Sequence, residues 1–226
     1  TYVSDSTMLN GVPVPDGASS ALIDGIQINA PEDTTPGVLN AGVANNVATI
    51  TFDVIVNADV PDGTVISNQA FVSAVDYGIA DQPSDDPRTE LVDDPTRDVV
   101  GNFPLLFATK SAQLQVDNGS PGIVDPDDTL RYTITIYNNG NVPATIVELF
   151  DDVPANTSSV ADSTTLNAVP IGQPDGGVFP LAARIDVSSA DLPLPGTGEG
   201  VLSPGESAVV QFDFLVDSAA VRGSLI

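Results

Sequence analysis

The sequence predicts an all-β protein, and three observations carry that expectation. In Leu130–Tyr137, Leu130, Tyr132, Ile134 and Ile136 alternate with Arg131, Thr133, Thr135 and Tyr137, the period-two pattern of a half-buried strand. Asn138-Asn139-Gly140-Asn141 then stops the strand with residues that tolerate positive φ, before Val142-Pro143-Ala144 opens a new segment. Gly and Pro, 19 of each, punctuate the connections, and no segment carries a convincing helical period.

From its first residues the chain holds an internal match. Val3–Pro13 (VSDSTMLNGVP) corresponds to Val160–Pro170 (VADSTTLNAVP), at an offset of 157 residues. Pro15-Asp16-Gly17 answers Pro174-Asp175-Gly176, and Gly63-Thr64-Val65-Ile66 answers Gly223-Ser224-Leu225-Ile226. Ala48–Asn57 (ATITFDVIVN) answers Ala208–Asp217 (AVVQFDFLVD) at an offset of 160, so small loop insertions separate the matched strands. The expectation is a window on a longer repetitive chain. Copy one lacks everything before its equivalent of Ser158, and copy two lacks its equivalent of Ser67–Ala74, which reads as a closing strand. Strand exchange with a neighbouring chain is the alternative. It is disfavoured because copy one needs several strands and copy two only one.

The second copy offers strands near Leu105–Val116, Leu130–Asn138, Ala144–Phe150, Thr164–Val169, Arg184–Val187 and Ala208–Val216. Phe212, Phe214 and Val216 alternate with Gln211 and Asp213, so this last strand also has one wet face. Many short strands with such turns suggest tandem Greek-key β-sandwiches resembling the immunoglobulin type, without disulfide or Trp. The expected division is the C-terminal part of a first sandwich at 1–80, an acidic Pro-containing linker at 81–102, and a second sandwich lacking its closing strand at 103–226. In the linker, Pro83, Pro87 and Pro95 stiffen the chain, and like charges extend it.

Composition narrows the functional classes. Thirty-one acidic residues against 6 basic give a net charge of −25, which repels nucleic acid and anionic membrane surfaces. Clustered carboxylates leave divalent cations as natural counterions, although simple solubility explains the same charge. With neither Cys nor His, thiol nucleophiles, disulfides, thiol- or imidazole-based zinc sites and His-based triads are excluded. No apolar run is long enough to span a bilayer, so no direct membrane insertion is expected of this segment.

Several motifs together resemble a known family. They are Lys110, Pro126-Asp127-Asp128-Thr129-Leu130, Tyr132–Asn138, Asn139–Thr145, Asp151-Asp152-Val153-Pro154 and Asp162–Asn167. This set is similar to the repeat of bacterial and archaeal surface proteins called domain of unknown function 11, with Asp127 where glycine is usual. The resemblance spans nearly all of copy two, and copy one from Val3 to Ala74. It implies an extracellular or cell-surface prokaryotic protein of tandem sandwich repeats, serving as stalk, adhesin shaft or fibre, with no enzymatic activity to transfer.

Two groups of acids are candidate calcium ligands. In the loop Val116–Thr129, Asp117, Asn118, Asp125, Asp127 and Asp128 offer hard oxygens on a Gly-bearing turn. The competing explanation is an Asp/Asn turn that bonds its own backbone. In the linker, Asp85, Asp86, Asp93 and Asp94 would rigidify the joint around a cation, or else remain a solvated spacer. Calcium is the one cofactor expected.

Lys110 is the chain's single lysine, expected to face solvent. Some surface sandwiches join such a lysine to a closing-strand Asn. Copy one has Asn68, but the equivalent position in copy two falls past Ile226, so that crosslink is not expected within one domain. Catalysis is not expected, because the acids fall in turns and linkers and no aromatic sugar platform is evident.

The expected function is therefore a structural module of a secreted or surface-attached repetitive protein, forming a stalk or extracellular filament. Its partners would be neighbouring repeats and, in a filament, other copies. The alternative is an adhesin module that binds carbohydrate or protein through the Pro/Gly-rich excursion 188–204 (DLPLPGTGEG at its centre).

Overall fold

The structure is a computed structural model that describes residues 1–42, 44–172, 176–192, 200–221 and 223. It is all-β apart from short helical turns, its sheets are antiparallel, and none closes into a barrel. The chain divides into two compact units, Thr1–Val60 and Pro61–Ile226.

The first unit contains β1 (Met8–Leu9), β2 (Val12–Pro13), the helical turn α1 (Ala21–Asp24) and β3 (Ile50–Thr51). They form a sheet of order β2-β1-β3. Leu9 pairs with Val12, leaving Asn10-Gly11 as a two-residue turn. Both turn residues have positive φ, 52° and 78°, the requirement of the hairpin turn whose twist matches the flanking strands. Asn10 also anchors the turn. Its Oδ1 accepts from Thr49 N, and its Nδ2 donates to Asn29 O. The Ser6 hydroxyl donates to Val3 O and accepts from Asp53 N. The α1 turn is capped by Ser20, whose Oγ accepts from Ile23 N. Asp16 gathers the Asp5 and Ala21 N–H groups and the Tyr2 hydroxyl. These bonds, the Asp5 N–H first, hold its carboxyl below the usual aspartate range.

The second unit begins with two paired ladders. β4 (Val65–Asn68) pairs with β7 (Thr96–Val99), and β5 (Phe71–Ala74) with β6 (Ile79–Pro83). The stretch 81–102, expected as an open spacer, thus holds part of β6 and all of β7. Its strands fold back onto the segment expected to close copy one. Thr and Val at the ends of β7 suit a pleated ladder despite the surrounding charge.

The rest of this unit carries β8 (Leu106–Val116), β9 (Thr129–Asn138), β10 (Ala144–Thr145), β11 (Glu148–Leu149), β12 (Thr157–Ser159), β13 (Thr165–Leu166), β14 (Val169–Pro170), β15 (Ile185–Asp186), β16 (Val201–Leu202) and β17 (Ser207–Val216). A six-stranded sheet runs β14-β13-β17-β9-β8, with β12 also on β17; β10 pairs with β16, and β11 with β15. Between the sheet and these two ladders lies the core. Ile134, Ile136, Leu166, Val210, Phe212 and Phe214 come from the sheet, and Ala144, Val147, Val187 and Leu202 from the ladders or beside them. Phe179, on the approach to a 3-10 turn at Pro180–Ala183, meets Phe212 and Phe214 edge to face at 4.9 and 5.0 Å. Each fully buried Phe or Leu contributes roughly 1.5–3 kcal/mol of apolar burial.

Asn138 explains why β9 ends where it does. It is fully buried, and its amide is shared among four backbone groups. Oδ1 accepts from Leu105 N and Gly140 N, while Nδ2 donates to Val142 O and Leu202 O, both at 2.9 Å. At Gly200 the chain passes so close to the backbone of Val147 and Val187 that a Cβ would collide with both.

The bonding of the first unit recurs in the second at the offsets read from the sequence. Met8↔Thr51 and Leu9↔Ile50 have their counterparts in Thr165↔Gln211 and Leu166↔Val210. Asn167 Oδ1 accepts from Val209 N, and its Nδ2 donates to Ser188 O. The Ser163 hydroxyl donates to Val160 O and accepts from Asp213 N.

Candidate functional site

In the loop between β8 and β9 the expected ligands come together, but their oxygens turn inward to the loop's own backbone. Asp128 is fully buried; Oδ1 accepts from Asn118 N and Oδ2 from Asp125 N, each at 2.7 Å. Asp125 Oδ2 accepts from Ser120 N at 2.7 Å, and Asp117 Oδ2 from Gly122 N at 2.8 Å. The Asn118 amide donates to the carbonyl of Asp127, a residue at φ 69°. The loop is fastened to β17, because Asp127 N donates to Val216 O and Val216 N to Asp128 O. Such bonds engage the carboxylate oxygens with the loop's own backbone, the Asp/Asn-turn arrangement. Among the described residues, no group of three or more acids is arranged to hold a metal ion.

The second set of acids is organised around Arg88. Its guanidinium grips Asp86 with two bonds of 2.9 Å, reaches Asp98 Oδ1 at 3.0 Å, and donates to Arg97 O at 2.8 Å. Asp86 is buried, and its carboxyl is held below the usual range, first by the Arg88 side chain; Arg88 is correspondingly raised. Asp94 Oδ1 accepts from Asp86 N and the Thr89 hydroxyl. Asp93 contributes its carbonyl, to the Gln69 amide, and Asp85 is exposed. A cation is thus already built into this turn, as a side chain. Beside it a cleft of about 420 Å³ is lined by Arg88, Tyr137, Asn139, Gly140, Gly205, Glu206 and Ser207.

Lys110 is exposed, as expected of a solvent-facing lysine, but its ammonium is engaged. Its Nζ lies 2.6 Å from Asp151 Oδ2 and 5.0 Å from the ring centre of Tyr132. The strand register explains this. Lys110 stands opposite Ile134, so it emerges on the core side of the sheet, beside the aromatic cluster. Burial, then the charge of Asp151, pushes the Tyr132 hydroxyl up. Asn68 lies in β4 opposite Thr96.

A second pair was not read from the sequence. Arg131 and Asp213, opposite one another on β9 and β17, form a bidentate bridge of 2.8 and 2.9 Å. The available signal was the scarcity of cations: in a chain with six, each is a candidate anchor for an acid.

The base of the 188–204 excursion is pinned. Ser189 N donates to Val201 O, and the hydroxyls of Ser188 and Ser189 accept from Val201 N and Ser203 N. Residues 193–199, on which the adhesin alternative depends, lie outside the described residues, as do Pro174-Asp175 and Ser224–Ile226 of the internal match. No helix among the described residues is long and apolar enough to cross a membrane. Comparisons with protein families, with curated proteins and with solved structures found no match to this chain.

Proposed function

We propose that this chain is a structural module of a secreted or cell-surface repetitive protein, built of tandem immunoglobulin-like sandwiches of the domain of unknown function 11 type. The observation that carries this reading is the recurrence of one bonding pattern at an offset of 157 to 160 residues. The Asn10 and Asn167 clasps, the Ser6 and Ser163 bridges and the strand pairings repeat partner for partner. Duplication of a whole unit explains that better than coincidence, and serial sandwiches suit a shaft or fibre. The acids at the turns are engaged with backbone and Arg88, which fits a role in stiffening connections.

Electron microscopy of the native full-length material tests this. Beaded strings or filaments with an axial repeat are expected; compact isolated particles would overturn it. The same grids prepared with a chelator test calcium. Straight particles becoming floppy would assign a stiffening ion to the acids of 85–98. No change would leave Arg88 as the cation of that turn.

A further inference from the structure

The outer face of the six-stranded sheet carries an aromatic ring that is covered on one side only. Tyr137 follows the core residue Ile136 along β9 and so stands on the face away from the core. Toward β8 it stands opposite Phe107, and the two rings stack at 4.9 Å and 14°. Toward β17 it stands opposite Ser207, a side chain too small to cover a ring. The cleft of about 420 Å³ opens there, lined also by Arg88. Gly140 and Gly205 line it without side chains, which leaves space beside the ring. The volume falls in the range of roughly 300–1,000 Å³ usual for small-ligand sites. Sequence alone shows no such platform, because only the cross-strand register puts Phe107, Tyr137 and Ser207 in one row.

The polar groups around this cleft are not used by the fold. Among the described residues, the side chains of Asn139, Glu206 and Ser207 make no hydrogen bond or ion pair. Asn138 next door is the opposite case, its amide wholly spent on backbone. Together the three offer an amide, a carboxylate and a hydroxyl. The Tyr137 hydroxyl is held at its tip: burial, then the charge of Glu90 and a hydrogen bond to it, push its titration up.

Charge narrows the ligand. An anion would meet Glu206, while Arg88 is already committed to Asp86 and Asp98. A cation would lie against the Arg88 guanidinium. A neutral molecule rich in hydroxyls avoids both costs, since each hydroxyl donates and accepts. The C–H face of a sugar ring also suits the electron-rich face of Tyr137.

We propose that this cleft is a saccharide site, in which a neutral pyranose stacks on the open face of Tyr137 and bonds Asn139, Glu206 and Ser207. It uses no residue of the 188–204 excursion. It adds a binding role to the proposed structural one and does not depend on it.

The test titrates the full chain with the methyl glycosides of glucose, galactose, mannose and N-acetylglucosamine, followed by amide chemical shifts. Methyl glucuronide and methyl glucosaminide serve as charged comparators. At least one neutral glycoside should shift amides of 137–140 and 205–207 saturably, with a Kd of about 1–10 mM. Ser207→Phe, which fills the space beside the ring, should abolish binding. Tyr137→Leu and Glu206→Ala should each weaken it about two- to tenfold. Glu206 is exposed, so its variant should fold, and exchange protection along β9 and β17 checks the other two. Four results would overturn the proposal. They are no saturable shift with any neutral glycoside, a charged comparator binding as tightly, and affinity unchanged in Glu206→Ala or in folded Ser207→Phe. The fourth is shifts confined to 188–204, which would place the sugar on the excursion instead.

Discussion

Residues 3–14 and 160–171 make the same turn with the same bonds, yet one sits over a bare face and the other over a closed core. Tyr2 bridges Val54 as Ser159 bridges Phe214, and Asp5 and Asp162 share positive φ near 57°. Thr7 and Thr164 are both buried. Burial of the neighbouring strand nevertheless differs completely. Local chemistry thus fixes the clasp, whereas coverage of the strand depends on segments far away in sequence. Stability should follow coverage, and local geometry should not.

The largest effect should separate the two strands themselves. Phe214→Ala should cost about 3–5 kcal/mol, because it opens a cavity among Tyr132, Phe179 and Phe212. Val54→Ala should stay within about 0.5 kcal/mol, measured by urea unfolding with exchange resolved by unit.

The clasps should behave alike. Asn167→Ala removes two bonds from partly buried backbone and should cost about 1–3 kcal/mol. Asn10→Ala loses the same pair, and its effect should fall at the low end of that range. A larger loss at Asn10 than at Asn167 would break the equivalence.

Arg88→Ala should destabilise the 65–99 ladders by about 1–2 kcal/mol, less than a buried pair because the guanidinium is partly exposed. The pH dependence has a definite sign. Asp86 has its folded value lowered, so its contribution is present above the unfolded value of about 4 and lost as pH falls below it. Exchange of amides in 65–99 should accelerate on acidification in the native chain, and less so in Arg88→Ala.

The smallest effect concerns the turn. Gly11 and Ala168 occupy the same position at φ 78° and 64°. Ala168→Gly should stabilise by about 0.5–1 kcal/mol by relieving left-handed strain, and Gly11→Ala should destabilise by a similar amount. Thermal scans of both variants measure it.

The long strands were legible because one face is buried, so alternation survives in Leu130–Tyr137 and in 208–216. The hairpin at Asn167-Ala168 was not: with Ala where copy one has Gly, Thr164–Val169 reads as one strand, although the turn splits it. Ile146 likewise interrupts the expected strand 144–150 at φ 57°, a conformation that no β-branched residue announces. The acidic stretch 81–102 reads as a spacer because its structure rests on one arginine and on cross-ladder pairing, neither periodic. The acids of 117–128 meet in one loop, but the direction of their oxygens depends on which N–H groups the folded loop presents.

The position of β17, flanked on both sides, has a mechanical consequence. Tension on the chain leaving Val216 would act along the strand, across hydrogen bonds that lie perpendicular to it. Those bonds to β9 on one side, and to β12 and β13 on the other, would share the load and have to shear together rather than unzip in turn. The aromatic cluster riding on the same strand would have to be dragged past its neighbours in that movement. A chain pulled at this point should therefore yield in one abrupt step, after the ladders of 65–99 have peeled apart.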